Sequence, residues 1–236
     1  CIIAIVKVKD YIRTNMSKSG EHSKLIADAA KAALSPIGCT RVGRSRTWIS
    51  DQGFWLVVIE FQPSSWSKGS YLNVGAMWLW KLRKGLGFHH GYRVGDFVPF
   101  MDETQFRPLI EILAAQAAAR TMELRDQFSS IEAVSHYLTT ATTNLTPWSP
   151  YHAALAAGLA GDYTTAHRHF EQFALSDWQD SPWLEAKARA KQLDGLLATP
   201  SAFRTALIAQ IAECRTINNL QPASGTLEAL LARDVT

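Results

Sequence analysis

The residues of this chain best suited to chemistry are cationic and aromatic, and they crowd into its first hundred positions. Residues 1–100 hold fourteen Lys/Arg against six Asp/Glu, whereas residues 101–236 hold ten against fifteen. Trp48, Trp55, Trp66, Trp78 and Trp80, five of the eight Trp, lie in that basic part. Arg44, Arg46 and Trp48 stand two apart, and on a strand that spacing sends all three to one face. With Trp66 beside them, the face would join fixed positive charge to flat rings, a combination suited to phosphate, carboxylate or stacked bases. The competing reading makes the rings core and the guanidiniums a solvated outer layer. Further on, Leu72, Val74, Ala76, Trp78 and Trp80 share a face, and Tyr71 and Asn73 are read as pointing away from each other.

The densest basic segment is Lys81-Leu82-Arg83-Lys84, followed by His89-His90 and Arg93. As a loop it is either solvated charge or a contact for phosphate or a partner. The binding set is accordingly Arg44, Arg46, Trp48, Trp66, Tyr71, Asn73, Trp80, Lys84, His90 and Arg93, with no catalytic residue assigned. Trp66, in the Pro63–Gly69 loop, has no obligatory core role and is expected to border the main concavity with Arg44, Arg46 and Arg93.

Other chemistries find little footing. Gly85-Leu86-Gly87 lacks the third glycine and the following helix of a dinucleotide fingerprint. His89-His90 with Asp96 or Asp51 has no ligand pair at helical spacing, so no metal or cofactor is expected. His167 and His169, two apart on a helix, fall on different faces. Asp51, Glu60 and Asp96 form no carboxylate pair; Glu60, on a buried strand, is expected to pair with Arg46 on its neighbour. Cys1, Cys39 and Cys214 are far apart with no CxxC, which argues against a disulfide framework and fits a reducing cytoplasm.

The elements that must position these groups change character near residue 100. Leu25, Ile26, Ala29, Ala30, Ala33 and Leu34 mark one face of a helix over 21–34, ended by Pro36-Ile37-Gly38. Strands are expected at Val42–Ser50, Phe54–Gln62, Ser70–Trp80 and Tyr92–Phe100, with Asp51-Gln52-Gly53 as a hairpin turn. The unbroken Phe54–Ile59 run reads as a central strand buried on both faces. From residue 102 the periodicity is helical, with helices over 103–126, 130–143, 150–160, 164–175, 182–197, 201–216 and 226–233. Asp102/Gln105 and Ser129/Glu132 look like capping boxes. The fold class is α+β: an antiparallel meander sheet with an N-terminal helix (16–100), then an all-helical module (101–236) packed on it, since Pro99–Asp102 is too short for a tether. Met16 reads as a natural start, with residues 1–15 an extension in which Ile2–Val8 would form an edge strand.

Two resemblances follow. Pro36-Ile37-Gly38, Arg41, Arg46-Thr47-Trp48, the Phe54–Gln62 run and Ser70-Tyr71-Leu72-Asn73-Val74-Gly75 resemble the bacterial domain-of-unknown-function four-three-zero-four family over residues 22–100, with Cys39 where that family places an aromatic. The resemblance implies the fold and no activity. Gly161-Asp162-Tyr163, Ala166, Phe170 and Ala154 resemble a tetratricopeptide helical hairpin; Gly195 recurs thirty-four residues after Gly161, but Pro200 replaces the next packing Ala. A lone repeat makes no peptide groove. The functional expectation is a non-enzymatic interaction module of a bacterial cytoplasmic protein, of immunity, antitoxin or defence-adaptor type, partnered by another protein. The alternative is nucleic-acid or nucleotide binding through the basic, Trp-rich sheet domain. No membrane partner is expected, because no run approaches a spanning length.

Overall fold

The computed structural model describes residues 20–143, 145–177, 181–223, 225, 227 and 229. The expected strand in Ile2–Val8 and most of the expected helix over 226–233 lie outside these. The described chain is α+β, and it forms two compact units: residues up to Asp51, Val57–Met77 and Gly87–Leu124 make the first, and Gln52–Leu56, Trp78–Leu86 and Arg125 onward make the second.

In the first unit, helix α1 (20–34) buries Leu25, Ile26, Ala29, Ala30 and Leu34, the one-face stripe of the sequence. A 3-10 turn over Ser35–Ile37 follows, and Gly38 stops it with φ 77°, its N–H donating to the Ser35 carbonyl at 3.0 Å. The five strands β1 (Thr40–Arg41), β2 (Thr47–Asp51), β3 (Trp55–Gln62), β4 (Gly69–Trp78) and β5 (His90–Pro99), all in this unit except for Trp55–Leu56 and Trp78, pair in that order as an antiparallel meander. β3 is buried from Trp55 through Ile59, as a central strand requires. Helix α2 (Glu103–Gln127) starts at a cap in which Gln105 N–H donates to Asp102 Oδ1 at 2.9 Å.

The expected strand over Val42–Ser50 is corrected to two short strands joined by a tight turn. Gly43 takes a left-handed φ of 55°, the Ser45 hydroxyl donates to the Val42 carbonyl at 2.7 Å, and Arg41 Nε donates to the Ser45 carbonyl at 2.7 Å. These local bonds capture backbone groups that a continuous strand would need for its ladder. Arg44 and Arg46 therefore sit in the turn and do not alternate with Trp48 along a strand.

The second unit is built on aromatic rings. Trp78 stacks on Trp80 with centroids 5.4 Å apart, and Phe54 lies parallel to Trp80 at 6.0 Å. Phe128 meets Trp55 and Trp78 edge-on at 5.5 and 5.1 Å, the arrangement ring quadrupoles favour. Around them run α3 (Ile131–Thr140), α4 (Ser149–Ala160), α5 (Tyr163–Ala174), α6 (Ser181–Leu196) and α7 (Pro200–Ile217). The cap of α3 is Ser130 rather than Ser129: its extended backbone lets Oγ accept from Ala133 N–H. α4 and α5 form the expected hairpin. Gly161 turns it at φ 89°, Asp162 caps α5 by accepting from Thr165 N–H, and Ala154 and Ala166 are fully buried. Gly195, in contrast, lies inside α6 and turns nothing.

Candidate functional site

Three of the ten sequence-chosen residues come together on β4 and β5 in the first unit. Asn73 Nδ2 donates to Glu60 Oε2 at 3.1 Å and to Gln62 Oε1 at 2.9 Å, and Arg93 Nη2 donates to the same Gln62 oxygen at 2.8 Å. The Arg93 guanidinium lies 3.8 Å over the Tyr71 ring. Tyr71 and Asn73 thus share a face, correcting the reading that they point apart; residues two apart on a strand do. Glu60 bonds to Asn73, not to the expected Arg46. The cluster is satisfied by its own members and leaves few donors for a ligand.

The others are dispersed. Arg46 is half-buried: Nη2 donates to Ser23 Oγ at 2.8 Å and His22 Nε2 at 3.0 Å, and Nη1 to the Gly69 carbonyl at 3.5 Å. Burial lowers its pKa, and its role is to tie α1 to the start of β4. Trp48 and Trp80 are core, 5% and 0% exposed, so neither offers a ring face to a ligand. Trp80 donates from Nε1 to His152 Nδ1 at 3.0 Å. His90 is half-buried at the start of β5, its pKa lowered by burial and by Arg120. Arg44 and Lys84 are exposed, and Trp66 stands 95% exposed in its loop.

The better-built site lies in the second unit. A cavity of about 400 Å³ is lined by Lys81, Arg83, Trp148, Tyr151, Glu185, Arg189 and Gln210, among others. Its floor is pinned from α7. Gln210 Nε2 donates to the Trp80 carbonyl and, at 3.2 Å, to Tyr151 Oη, while its Oε1 accepts from Arg189 Nε at 2.7 Å. Burial raises the Tyr151 pKa, so the phenol stays protonated. The basic segment that carries Lys81 and Arg83 is held by its backbone. Cys214 Sγ donates to the Lys81 carbonyl at 3.6 Å, Asn218 Nδ2 to the Arg83 carbonyl at 2.9 Å, and Gly85 N–H to Asn218 Oδ1 at 2.8 Å.

Lys81 Nζ sits 3.3 Å from the Trp148 ring centroid, and Trp183 stacks on Trp148 with centroids 4.1 Å apart. Two groups that close cannot share one face, so the indole is covered on both sides. Trp148 holds an ammonium and leaves no face for a base. Burial, and secondarily Arg83, lower the Lys81 pKa to about 8. Among the described residues no cluster of His, Cys, Asp and Glu could hold a metal ion, and no helix is long and apolar enough to cross a membrane.

Sequence reasoning reached Lys81 and Arg83 through their charge run. It missed Trp148, Tyr151, Glu185, Arg189 and Gln210, which lie on α6, α7 and the start of α4 with no common spacing. No protein family, curated protein or solved structure matches the chain.

Proposed function

We propose that this chain binds a small organic anion in the cavity of the second unit. The observation that carries the reading is the lining: Lys81, Arg83 and Arg189, with Glu185 as its one carboxylate, surround about 400 Å³. That volume is in the range of small-molecule sites, and guanidinium groups pair with carboxylate or phosphate in bidentate fashion. Stacking of a base in this cavity is disfavoured because both faces of Trp148 are taken. Calorimetric titration with a panel of small carboxylates and phosphates tests it. Arg83→Ala, at an exposed position, should weaken the best binder by about tenfold, the size of one charge-assisted hydrogen bond. The idea fails if no member binds, or if Arg83→Ala and Lys81→Met leave affinity unchanged.

A second reading, the non-enzymatic interaction module with a protein partner, is favoured by Trp66. A 95% exposed indole on a loop between two strands is costly to leave in water and is a common interface anchor.

A further inference from the structure

The side chain that the anion-binding reading leaves underused is Lys81 itself. An amine meant only to attract charge would extend into water or pair with a carboxylate. Lys81 instead lies inside the cavity, its Nζ fixed over Trp148, and among the described residues no ion pair with a carboxylate engages it. The charged and titratable groups around it are Arg83 in its own segment, Tyr151 on α4, Glu185 and Arg189 on α6, and Cys214 on α7, whose thiol donates to the Lys81 carbonyl. Burial and, secondarily, Arg83 disfavour the charge on Lys81, and the two guanidiniums of the lining leave a place for an anionic group.

We propose that Lys81 is the amine of a carbonyl-binding site: its nitrogen adds to the carbonyl carbon of a small anionic aldehyde or ketone whose carboxylate or phosphate is held by Arg83 and Arg189. The adduct is a carbinolamine. Loss of its hydroxyl as one water gives an imine to Lys81, and the reverse reaction with water restores amine and carbonyl. No electrons are exchanged with a third party. The proposal rests on the anion-binding reading for the choice of ligand, and adds the covalent step. Desolvation and a neighbouring cation are the two usual means of making a lysine nucleophilic near neutrality, and both are present here. With a pKa of about 8, roughly a tenth of the amine is neutral at about pH 7, against on the order of one part in three thousand for an ordinary lysine.

The test uses the whole chain at about pH 7 with glyoxylate and cyanoborohydride, which delivers hydride to the imine carbon and leaves a carboxymethyl group. Peptide mass spectrometry maps it lysine by lysine, with the exposed Lys68 and Lys84 as internal references. Lys81 should label at least about tenfold faster than either, allowing for the lower intrinsic nucleophilicity of a less basic amine. Lys81→Arg, which keeps a cation over Trp148, should remove that product and leave the references unchanged. Glycolate, which has the carboxylate and no carbonyl, is titrated in parallel. If glycolate binds and Lys81 labels no faster than Lys84, the anion site stands and the imine chemistry is overturned. If glycolate does not bind and Lys81 is not preferred, both fall. If acetaldehyde labels Lys81 with the same preference as glyoxylate, the demand for an anionic group is overturned.

Discussion

At the scale of single residues, the depressed Lys81 pKa makes a stability prediction with a definite sign. In the folded chain the charged form is penalised, so between about pH 8 and the model-peptide value near 10.4 the unfolded chain binds more protons and stability rises with pH. The difference in stability between Lys81→Met and the parent should therefore move in the parent's favour from pH 7 to pH 10, read from urea midpoints; a pH-independent gap would show an unperturbed amine. His167 goes the other way. Its Nδ1 lies 2.8 Å from Asp194 Oδ1, and that hydrogen bond raises its pKa. An NMR titration should place His167 above the usual histidine midpoint, and Asp194→Asn should lower it toward that midpoint, with Glu171 still raising it in part. Trp66→Ala should change stability by less than about 0.5 kcal/mol, since so exposed a ring contributes little packing. A large drop in melting temperature would make Trp66 core and remove the main support for a protein partner. The cations were legible as a charge run. Their division into a self-satisfied cluster at Arg93, a structural tie at Arg46 and a cavity at Lys81 was not, because it depends on partners such as Ser23 and Gln210 far away in sequence.

At the scale of elements, the sequence was most legible where periodicity runs long. α2 and α4 through α7 fall within a few residues of their expected spans, and β3 was marked by its unbroken apolar run. The failures were local. Gly43 and Ser45 turned an expected strand into a hairpin, and Ser130 outcompeted its neighbour as a cap because its backbone is extended. Two glycines separate turn chemistry from packing. Gly75 faces Gly91 across β4 and β5, and a Cβ at Gly75 would lie 2.2 Å from the His90 carbonyl oxygen and 2.9 Å from Gly91 Cα. Those are backbone atoms, so the strands would have to part; Gly75→Ala should cost ~1–3 kcal/mol in chemical denaturation. Gly195 is exposed inside α6, with nothing within 4 Å of a Cβ built there. Gly195→Ala, in the last turn of α6, should stabilise by up to ~0.5 kcal/mol, less than the helix-interior difference.

At the scale of the whole molecule, each compact unit draws on chain from both sides of the change of texture near residue 100. The first unit takes α2 up to Leu124, and the second takes Gln52–Leu56 and Trp78–Leu86 from the sheet region. Fragments 1–100 and 101–236 made separately should each lack part of a core: the first fragment would carry Trp55, Trp78 and Trp80 without Phe128, and the second the reverse. Neither should give a dispersed amide NMR spectrum, and a well-dispersed spectrum from either would show that the unit closes without its missing segments. The same interleaving bears on synthesis. When Trp55 leaves the ribosome, its edge-on partner Phe128 is still more than seventy residues from emerging, on the order of ten seconds at ordinary elongation rates. For that interval the indoles around which the second unit is built have no complete core to enter, and a nascent chain stalled after residue 80 has emerged and before residue 128 has would display them to chaperones.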